Sequence, residues 1–522
     1  MTRQYYLAID AGTGSGRAVV FDHTGAQCGL GQQEWTHVSE PGVPGSMNFD
    51  CAGNWLLLCR CIGQAIREAG IRPDQIAAIS STSMREGIVV YDADGSELWA
   101  CANVDGRAMR EVAALKARDA GLEPHFYQVS GQTFALGVWP RLEWLRANRP
   151  DLFARIARLS MINDWVAARL SGEIVVEPSN AGTSGLMDPT ARQWSDDLIE
   201  MAGLPRAIFP PVVEPGAQIG RVTPQAAAEA GLAAGTPVIC GGGDVQMGTL
   251  GLGVTGDGDA AILGGTFWQQ VINIPTGRTD DTMRVRINPH VVTGLNQAEC
   301  ISFFVGLTMR WFRDTFCDAE KAEAARRSMD VYAVLEELAA RVPPGANGII
   351  PVFSDAMDFG RWYHAAPSFL NMSIEPGHTT KASLFRALQE NAAIVSAVNL
   401  ERVRAFSGVR ITRPVVFAGG ASKGALWAQI LADVLGQEVA IPRVREATAL
   451  GCAASAACGI GAFGSIAEAG AAMSGIERIV SPNMALSGLY AETRARWEGA
   501  YPAQKALTDA GITTSMWRAP GI

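Results

Sequence analysis

Asp10-Ala11-Gly12-Thr13-Gly14-Ser15-Gly16-Arg17 places three glycines and two hydroxyl side chains directly after the apolar run Tyr5 to Ile9. Such a turn lets backbone N–H groups approach phosphate oxygens closely. A Walker A or dinucleotide loop would open next into a helix whose N-terminus holds the phosphates. Here Arg17 to Phe21 is β-branched and strand-like, the Walker lysine is absent and the glycines miss the G-x-G-x-x-G spacing. The stretch therefore predicts a phosphate-binding hairpin turn led by a carboxylate, Asp10, placed to hold hydrated Mg²⁺.

Two further glycine clusters follow strand-like runs. Gly241-Gly242-Gly243-Asp244 ends the run Pro237 to Cys240. An Asp after three glycines is commonly a helix N-cap, but one at a strand end just before a second Gly/Thr turn is also the leading candidate for a general base. Gly419-Gly420-Ala421-Ser422 follows Val415 to Ala418 and opens a helical pattern from Ala425 to Leu435, where small residues would let an adenine or ribose lie against backbone.

The elements that must carry these turns alternate short apolar runs with amphipathic stretches, an α/β pattern. Tyr5 to Ile9, Ala18 to Phe21 and a run after the Asp22-His23-Thr24-Gly25 turn predict an antiparallel meander; Asn54 to Ala69 and Ala108 to Ala117 predict helices, and Ile76 to Ser81 a strand. Ala260 to Ile272 repeats the strand, Gly/Thr turn, strand order of Ala8 to Val20 through AILGGTFWQQVI. Two related halves would face a nucleotide from both sides, with a seam in the Gly- and Asp-rich stretch Gly251 to Asp259, dividing the chain into domains 1–255 and 256–522. A length of 522 residues exceeds what one hydrophobic core serves.

Composition excludes several classes. A chain with 48% hydrophobic and 18% charged residues reads as globular rather than disordered, and a net charge of -9 argues against nucleic acid as the main partner. Neither a signal-peptide h-region nor a run of about 18 apolar residues is present, so a cytoplasmic location is expected. Ten cysteines occur without a Cys-x-x-Cys pair and six histidines without metal spacing, so no disulfide framework or His/Cys metal cluster is assigned; Cys59 and Cys61 read as buried helix residues.

Taken together, DAGTGSGR, GGGDVQMG, GGTFW and FAGGASKG resemble, in order, the first phosphate, catalytic-aspartate, second phosphate and adenosine motifs of the FGGY carbohydrate kinases. PRLEWLRANRP, INDWVAARLSGE and HTTKASLFRALQENAA are similar to further family segments, so the resemblance spans nearly the whole chain. It implies two actin-like ATPase (ribonuclease H-like) domains with a nucleotide and substrate cleft between them, and an ATP- and Mg²⁺-dependent kinase. Carried over by residue, it implies that Asp10 places Mg²⁺ through water, that Thr13 and Gly14 meet the phosphates, and that Gly265 and Thr266 meet the transferred phosphoryl. Gly306 and Arg310 fall at nucleotide contacts, and Gly420, Ala421 and Gly424 at the adenosine site. Arg85 and Glu86 match a pair that grips adjacent hydroxyls, Trp268 an aromatic lining the acceptor pocket, and Asp244 the base.

SMREGIVVYD, WACANVDGRA, ILGGTFWQQV, ISFFVGLTMRWFRDTFC, WYHAAPSF and TTSMWRAPG point to one branch of the family. That branch implies phosphorylation of the primary C5 hydroxyl of open-chain 4,5-dihydroxypentane-2,3-dione, and contact with the phosphocarrier protein of sugar transport. Departures from the family pattern fall at Val245, where a polyol-binding Gln is usual in glycerol kinases, and at Arg141, Asn371 and Gly424. A polyol or pentulose kinase, acting on glycerol, erythritol or xylulose, and a non-catalytic actin-like sugar sensor are the alternatives; fold alone does not decide among them.

Overall fold

The computed structural model describes residues 4–444 and 446–522. Strands β1 (Tyr5–Ala11), β2 (Ser15–Asp22) and β3 (Gln27–Glu34) form the meander. Helix α1 (Cys51–Ala69) follows, capped by the Asp50 carboxylate on Gly53 N–H and closed by Gly70 in the left-handed region. Its face of Trp55, Leu58, Cys61, Ile62 and Ala65 is buried in the same apolar cluster as Leu7, Ile9, Ala18 and Val20 of the sheet. Strands β4 (Ile76–Ser83), β5 (Gln218–Arg221) and β6 (Pro237–Gly243) complete a six-stranded sheet in the order β5-β6-β4-β1-β2-β3.

Helix α2 (Asp244–Gly251) leads to a second sheet. Its strands are β7 (Ala260–Gly264), β8 (Trp268–Pro275), β9 (Arg286–Pro289), β10 (Leu295–Ser302), β11 (Val415–Ala418), β12 (Val439–Pro442) and β13 (Ile476–Val480). Their order is β9-β10-β8-β7-β11-β12-β13. Each sheet has an antiparallel hairpin, β1–β2 or β7–β8, whose first strand runs parallel to β4 or β11. The next neighbour, β6 or β12, is parallel again, and the outer one, β5 or β13, antiparallel. The two sheets therefore match strand for strand, with β9 as the additional edge.

Helices α3 (Val305–Phe316), α4 (Val331–Ala339), α5 (Lys381–Ser407) and α6 (Ala425–Leu435) contribute Met309, Leu335, Phe385, Trp427 and Ala428 to the apolar cluster on one face of the second sheet. The other face, with Val271, Ala261 and Val416, packs on Val245 of α2 and on Leu252 just after it.

Helix α7 (Ala447–Gly459) follows the second lobe's strands in sequence but packs on β1, β4 and β6 of the first sheet. It crosses α2 at backbone contact: a Cβ on Gly251 would stand 2.0 Å from the Ala447 carbonyl oxygen, and one on Gly451 2.0 Å from that of Met247. Any side chain at either glycine would push the helices apart. The last helix, α8 (Ser487–Asp509), leads to a C-terminal segment that crosses between the lobes. Trp517 stacks on Phe303 at 4.5 Å, while Pro520 and Gly521 lie against Gly106 and Val112 of the first lobe. No helix among the described residues is long and apolar enough to cross a membrane.

Candidate active site

Parallel pairing brings three predicted residues to one edge of the first sheet. Asp10 sits opposite Thr82 and Ala11 opposite Ser83, while Gly243 also pairs with Ser83, so Asp10, Arg85 and Asp244 all lie at the carboxyl ends of adjacent parallel strands. Open α/β sheets place ligands there, because the strand ends leave a crevice that loops can furnish. The hairpin turn beside Asp10 is fixed by Gly12 N–H donating to the Ser15 carbonyl at 3.0 Å and by the Trp35 indole N–H donating to the Gly12 carbonyl at 3.0 Å. The Asn103 amide donates to the Thr13 hydroxyl at 3.0 Å.

Asp244 is the first residue of α2, with Gly243 in the N-cap position, and its Oδ1 accepts from the neighbouring Val245 N–H at 2.8 Å. It is thus not the cap of its helix. The carboxylate keeps 40% of its side-chain surface open to the cleft. Crowding by protein on its other sides pushes its pKa up to about 6; Arg85 pulls it down, and Glu86 and Glu299 push it up. Asp10 is pushed up to about 7 by burial, with Arg17 opposing and Asp244 and Glu446 adding to the rise. Arg17 in turn pairs with Glu446, the residue before α7, at 3.1 Å.

Arg85 and Glu86 follow β4 and join a buried ring of four charges. The Arg85 guanidinium forks onto both oxygens of Glu299, at 2.6 and 2.8 Å, and its Nε faces Asp244 Oδ1 at 3.4 Å. Glu86 accepts from Arg286, whose Nε donates to Gln132 Oε1 at 2.9 Å. Burial alone would raise the Glu86 pKa, yet Arg286 and Arg85 hold it below its ordinary value. Glu86 has φ of +61°, and its backbone is clamped there by Thr183 Oγ1 on its N–H at 3.1 Å and by the Arg141 guanidinium on its carbonyl. A non-glycine residue in the left-handed region needs such surroundings to persist.

Across the cleft, a cavity of about 450 Å³ gathers Gly265, Thr266, Gly306, Arg310, Gly420, Ala421 and Gly424 into one wall system. Close approach explains two of these glycines. A Cβ on Gly306 would be 2.3 Å from the Gly265 carbonyl oxygen, and one on Gly424 2.1 Å from Glu336 Oε1. Thr13 and Gly14 stand on the first lobe's hairpin and are not part of this lining.

Trp268 departs from the role the resemblance implies: instead of lining the acceptor pocket it is fully buried in the apolar cluster of the second lobe, its ring 4.9 Å from Trp427 and 5.2 Å from Phe417. Strand alternation explains this. Trp268 shares its sheet face with Gln270, which bonds to α5 through Ser396, whereas Glu299 pairs with Val271 and shares the opposite face, toward α2. The indole forms part of the floor of the 450 Å³ cavity instead.

Sequence reasoning missed Glu299 and Arg286, which complete the charge ring, Gln132, which accepts from Arg286, and Glu336, Gln389 and Trp427, which line the second-lobe cavity. None lies in a glycine-rich motif. Glu336 accepts from the Trp427 N–H at 3.3 Å at the start of α6, and burial raises its pKa. Gln246, two residues past Asp244, is fully buried with no partner for its amide among the described residues.

Comparison with known proteins agrees with this arrangement. The FGGY N-terminal domain of carbohydrate kinases matches residues 5–251 and the FGGY C-terminal domain residues 290–460. The chain is 56% identical over 519 residues to the autoinducer-2 kinase of Salmonella paratyphi B, covering 99% of this chain and 98% of that one. It is 55% identical to the autoinducer-2 kinase of Klebsiella pneumoniae, covering 99% and 97%. Among solved structures, a xylulose kinase from Rhodospirillum rubrum superposes with a TM-score of 0.85 at 24% identity, covering 97% of this chain and 99% of that one. Plasmodium falciparum glycerol kinase with ADP gives 0.83 at 18% identity, covering 96% and 98%. With paired sheets, strand-end carboxylates and these matches in hand, the chain belongs to the FGGY family of carbohydrate kinases and is an ATP-dependent kinase with two actin-like lobes.

Proposed function

We propose that the chain transfers the γ-phosphoryl group of ATP to the primary C5 hydroxyl of autoinducer-2 in its open-chain form, 4,5-dihydroxypentane-2,3-dione, its relatives being named autoinducer-2 kinases. The observation that carries this reading is 56% identity to an autoinducer-2 kinase over 99% of the chain. The charge ring supports it. A dione offers carbonyl oxygens that accept hydrogen bonds; the Arg85 guanidinium stands beside Asp244 at the first sheet's edge, and that of Arg286 joins the same ring from β9 of the second sheet.

In this mechanism Asp244 orients the acceptor hydroxyl and takes its proton as the new P–O bond forms. Its raised pKa of about 6 strengthens it as a base while leaving it mostly ionised at neutral pH. Arg85, fixed by Glu299, holds the carboxylate in place. Thr13 and Gly14 on one hairpin and Gly265 and Thr266 on the other bind the phosphates from opposite lobes. Gly306, Arg310, Gly420, Ala421 and Gly424 position the nucleoside. Asp10 feels the charges of Arg17, Asp244 and Glu446, and no three carboxylates among the described residues stand close enough together to hold a metal directly, which favours contact with the cation through water. Asp10 would hold hydrated Mg²⁺, which when bound neutralises charge on the phosphates.

The two-lobe division is placed at residue 255, and the protein is assigned to the cytoplasm. Contact with the phosphocarrier protein of sugar transport belongs to the same proposal; absence of binding in calorimetry at micromolar concentration would remove it. The acceptor is tested by kcat/KM for the dihydroxydione, glycerol, erythritol and xylulose with ADP release as readout. Preference for the dihydroxydione is expected. Preference for glycerol or xylulose would transfer the reading to a polyol or pentulose kinase, and absence of acceptor-dependent ADP release would favour a sensor.

A further inference from the structure

A second cleft, of about 590 Å³, lies in the second lobe between α5, α8 and the loops around Arg284 and Arg361. Five cations line it, Arg284, Arg361, Arg402, Arg494 and Lys505, together with the carboxylates Asp358, Glu401, Glu498 and Asp509. Arg494 is taken up by Glu401 and Glu498; the other four cations come from four separate segments, and none of them has a carboxylate within the 4.0 Å of an ion pair among the described residues. The carboxylates of the lining are engaged elsewhere. Glu401 and Glu498 both pair with Arg494, at 2.5 and 3.0 Å, and Asp509 accepts from the Tyr363 hydroxyl at 2.5 Å. Asp358 accepts from the Arg361 backbone N–H at 3.2 Å, and Asp355 from that of Ala365 at 2.8 Å.

The cations are held in place without being neutralised. Arg402 donates to the Met357 carbonyl and Arg361 to the Tyr363 hydroxyl, while the Lys505 ammonium lies 4.2 Å above the Tyr363 ring. Desolvation lowers the Lys505 pKa, with Arg361 adding to the fall and Asp358, Asp355 and Asp509 opposing it. Trp497 and Tyr501, stacked at 5.0 Å, add aromatic surface to the same wall. Unneutralised guanidinium and ammonium groups recognise phosphate, and the volume is that of a small-molecule site.

We propose that this cleft binds a small organic phosphate of sugar-phosphate size, its phosphate held by Arg284, Arg361, Arg402 and Lys505 and its carbon skeleton against Tyr363 and Tyr501. The site is separate from the nucleotide cavity, with which it shares no lining residue. Arg284 lies two residues before Arg286, the partner of Glu86, so occupancy has a short covalent path to the charge ring.

Calorimetry on the full chain, with magnesium and a non-hydrolysable ATP analogue saturating the catalytic cleft, tests this with glucose 6-phosphate, glucose and inorganic phosphate as probes. Saturable binding of glucose 6-phosphate, one per chain, is expected, with glucose not binding and inorganic phosphate binding at least about tenfold more weakly. Lys505→Gln should weaken the sugar phosphate about tenfold or more and leave KM for ATP unchanged. Because Arg402 also holds the Met357 carbonyl, the exposed Arg361→Gln is measured as the second variant. Inorganic phosphate binding as tightly as the sugar phosphate would overturn the organic ligand class. No saturable binding, or binding unaffected by both variants, would overturn the site.

Discussion

Replacing Glu299 by Gln should move the pH dependence of turnover to lower pH. Glu299 is fully buried and takes both terminal nitrogens of Arg85, leaving only Nε to face Asp244 at 3.4 Å. Gln removes the negative charge that helps raise Asp244 and frees the guanidinium to turn toward it. Both changes favour the ionised carboxylate. An opposite charge at this range lowers a carboxylate by roughly 1–3 units, and Arg85 already supplies part of that. A shift of about one unit, equivalent to about 1.4 kcal/mol, is therefore expected. A base works only when ionised, so the acid limb of kcat/KM, expected at about 6 in the wild type, should fall toward roughly 5. The plateau should drop as well, because a weaker base accepts the proton less readily. Removing one partner of a buried pair costs about 3–5 kcal/mol, so folding is checked by thermal unfolding. The assay is acceptor-dependent ADP release at saturating ATP across the pH range. A merely structural Glu299 would lower activity at every pH without moving the limb. An unmoved limb, or one displaced upward, would refute the coupling through Arg85.

Trp268→Phe, which keeps an aromatic in the cluster, should raise KM for ATP several-fold and leave KM for the acceptor nearly unchanged, since the indole floors the nucleotide cavity; steady-state kinetics in both substrates checks it, and a selective loss of acceptor affinity would contradict it. Gly306→Ala puts a Cβ 2.3 Å from the Gly265 carbonyl oxygen, so the second phosphate turn must shift. A misplacement of that kind costs about 10²-fold in kcat/KM, and near-native turnover by the variant would contradict the proposed placement. Asp10→Asn should raise the magnesium concentration needed for half-maximal rate. It should also change stability in a defined window. The folded protein binds a proton on Asp10 between 3.8 and about 7 that the unfolded chain releases, so without magnesium this group's contribution to stability declines as pH rises through that range. The midpoint of Asp10→Asn relative to wild type should therefore climb over the same window in thermal unfolding; a flat or falling difference would reject the raised pKa.

The hairpins and glycine turns were legible because backbone chemistry wrote them into local sequence. Gly12 to Gly14 turns between β1 and β2, Gly241 to Gly243 ends β6, and Gly419 to Ser422 lies between β11 and α6, each as its composition predicts. The repeat of strand, turn, strand at Ala260 to Ile272 likewise reports a real equivalence, since both sheets share one strand order and sense. Trp268 shows where such reading stops. A motif fixes which residue follows the turn, but the face it occupies depends on register, and a single step along β8 exchanges the α2 side of the sheet for the α5 side. Glu299 and Arg286 were illegible for another reason. They lie over 190 residues from Arg85 and Glu86 and meet them only because β9 and β10 form the edge that abuts the first lobe. Glu336 and Gln389 come from helices whose local pattern announces only an amphipathic face.

The central claim is that Asp244 removes the acceptor proton. Asn keeps the size and the hydrogen bond from Val245 but cannot accept that proton. Acceptor-dependent ADP release by folded Asp244→Asn, with ATP affinity measured in the same preparation, tests the claim directly. The account predicts a fall in kcat of roughly 10²–10⁴-fold with ATP affinity little changed. Near-native turnover would contradict it and leave the mechanism without its base.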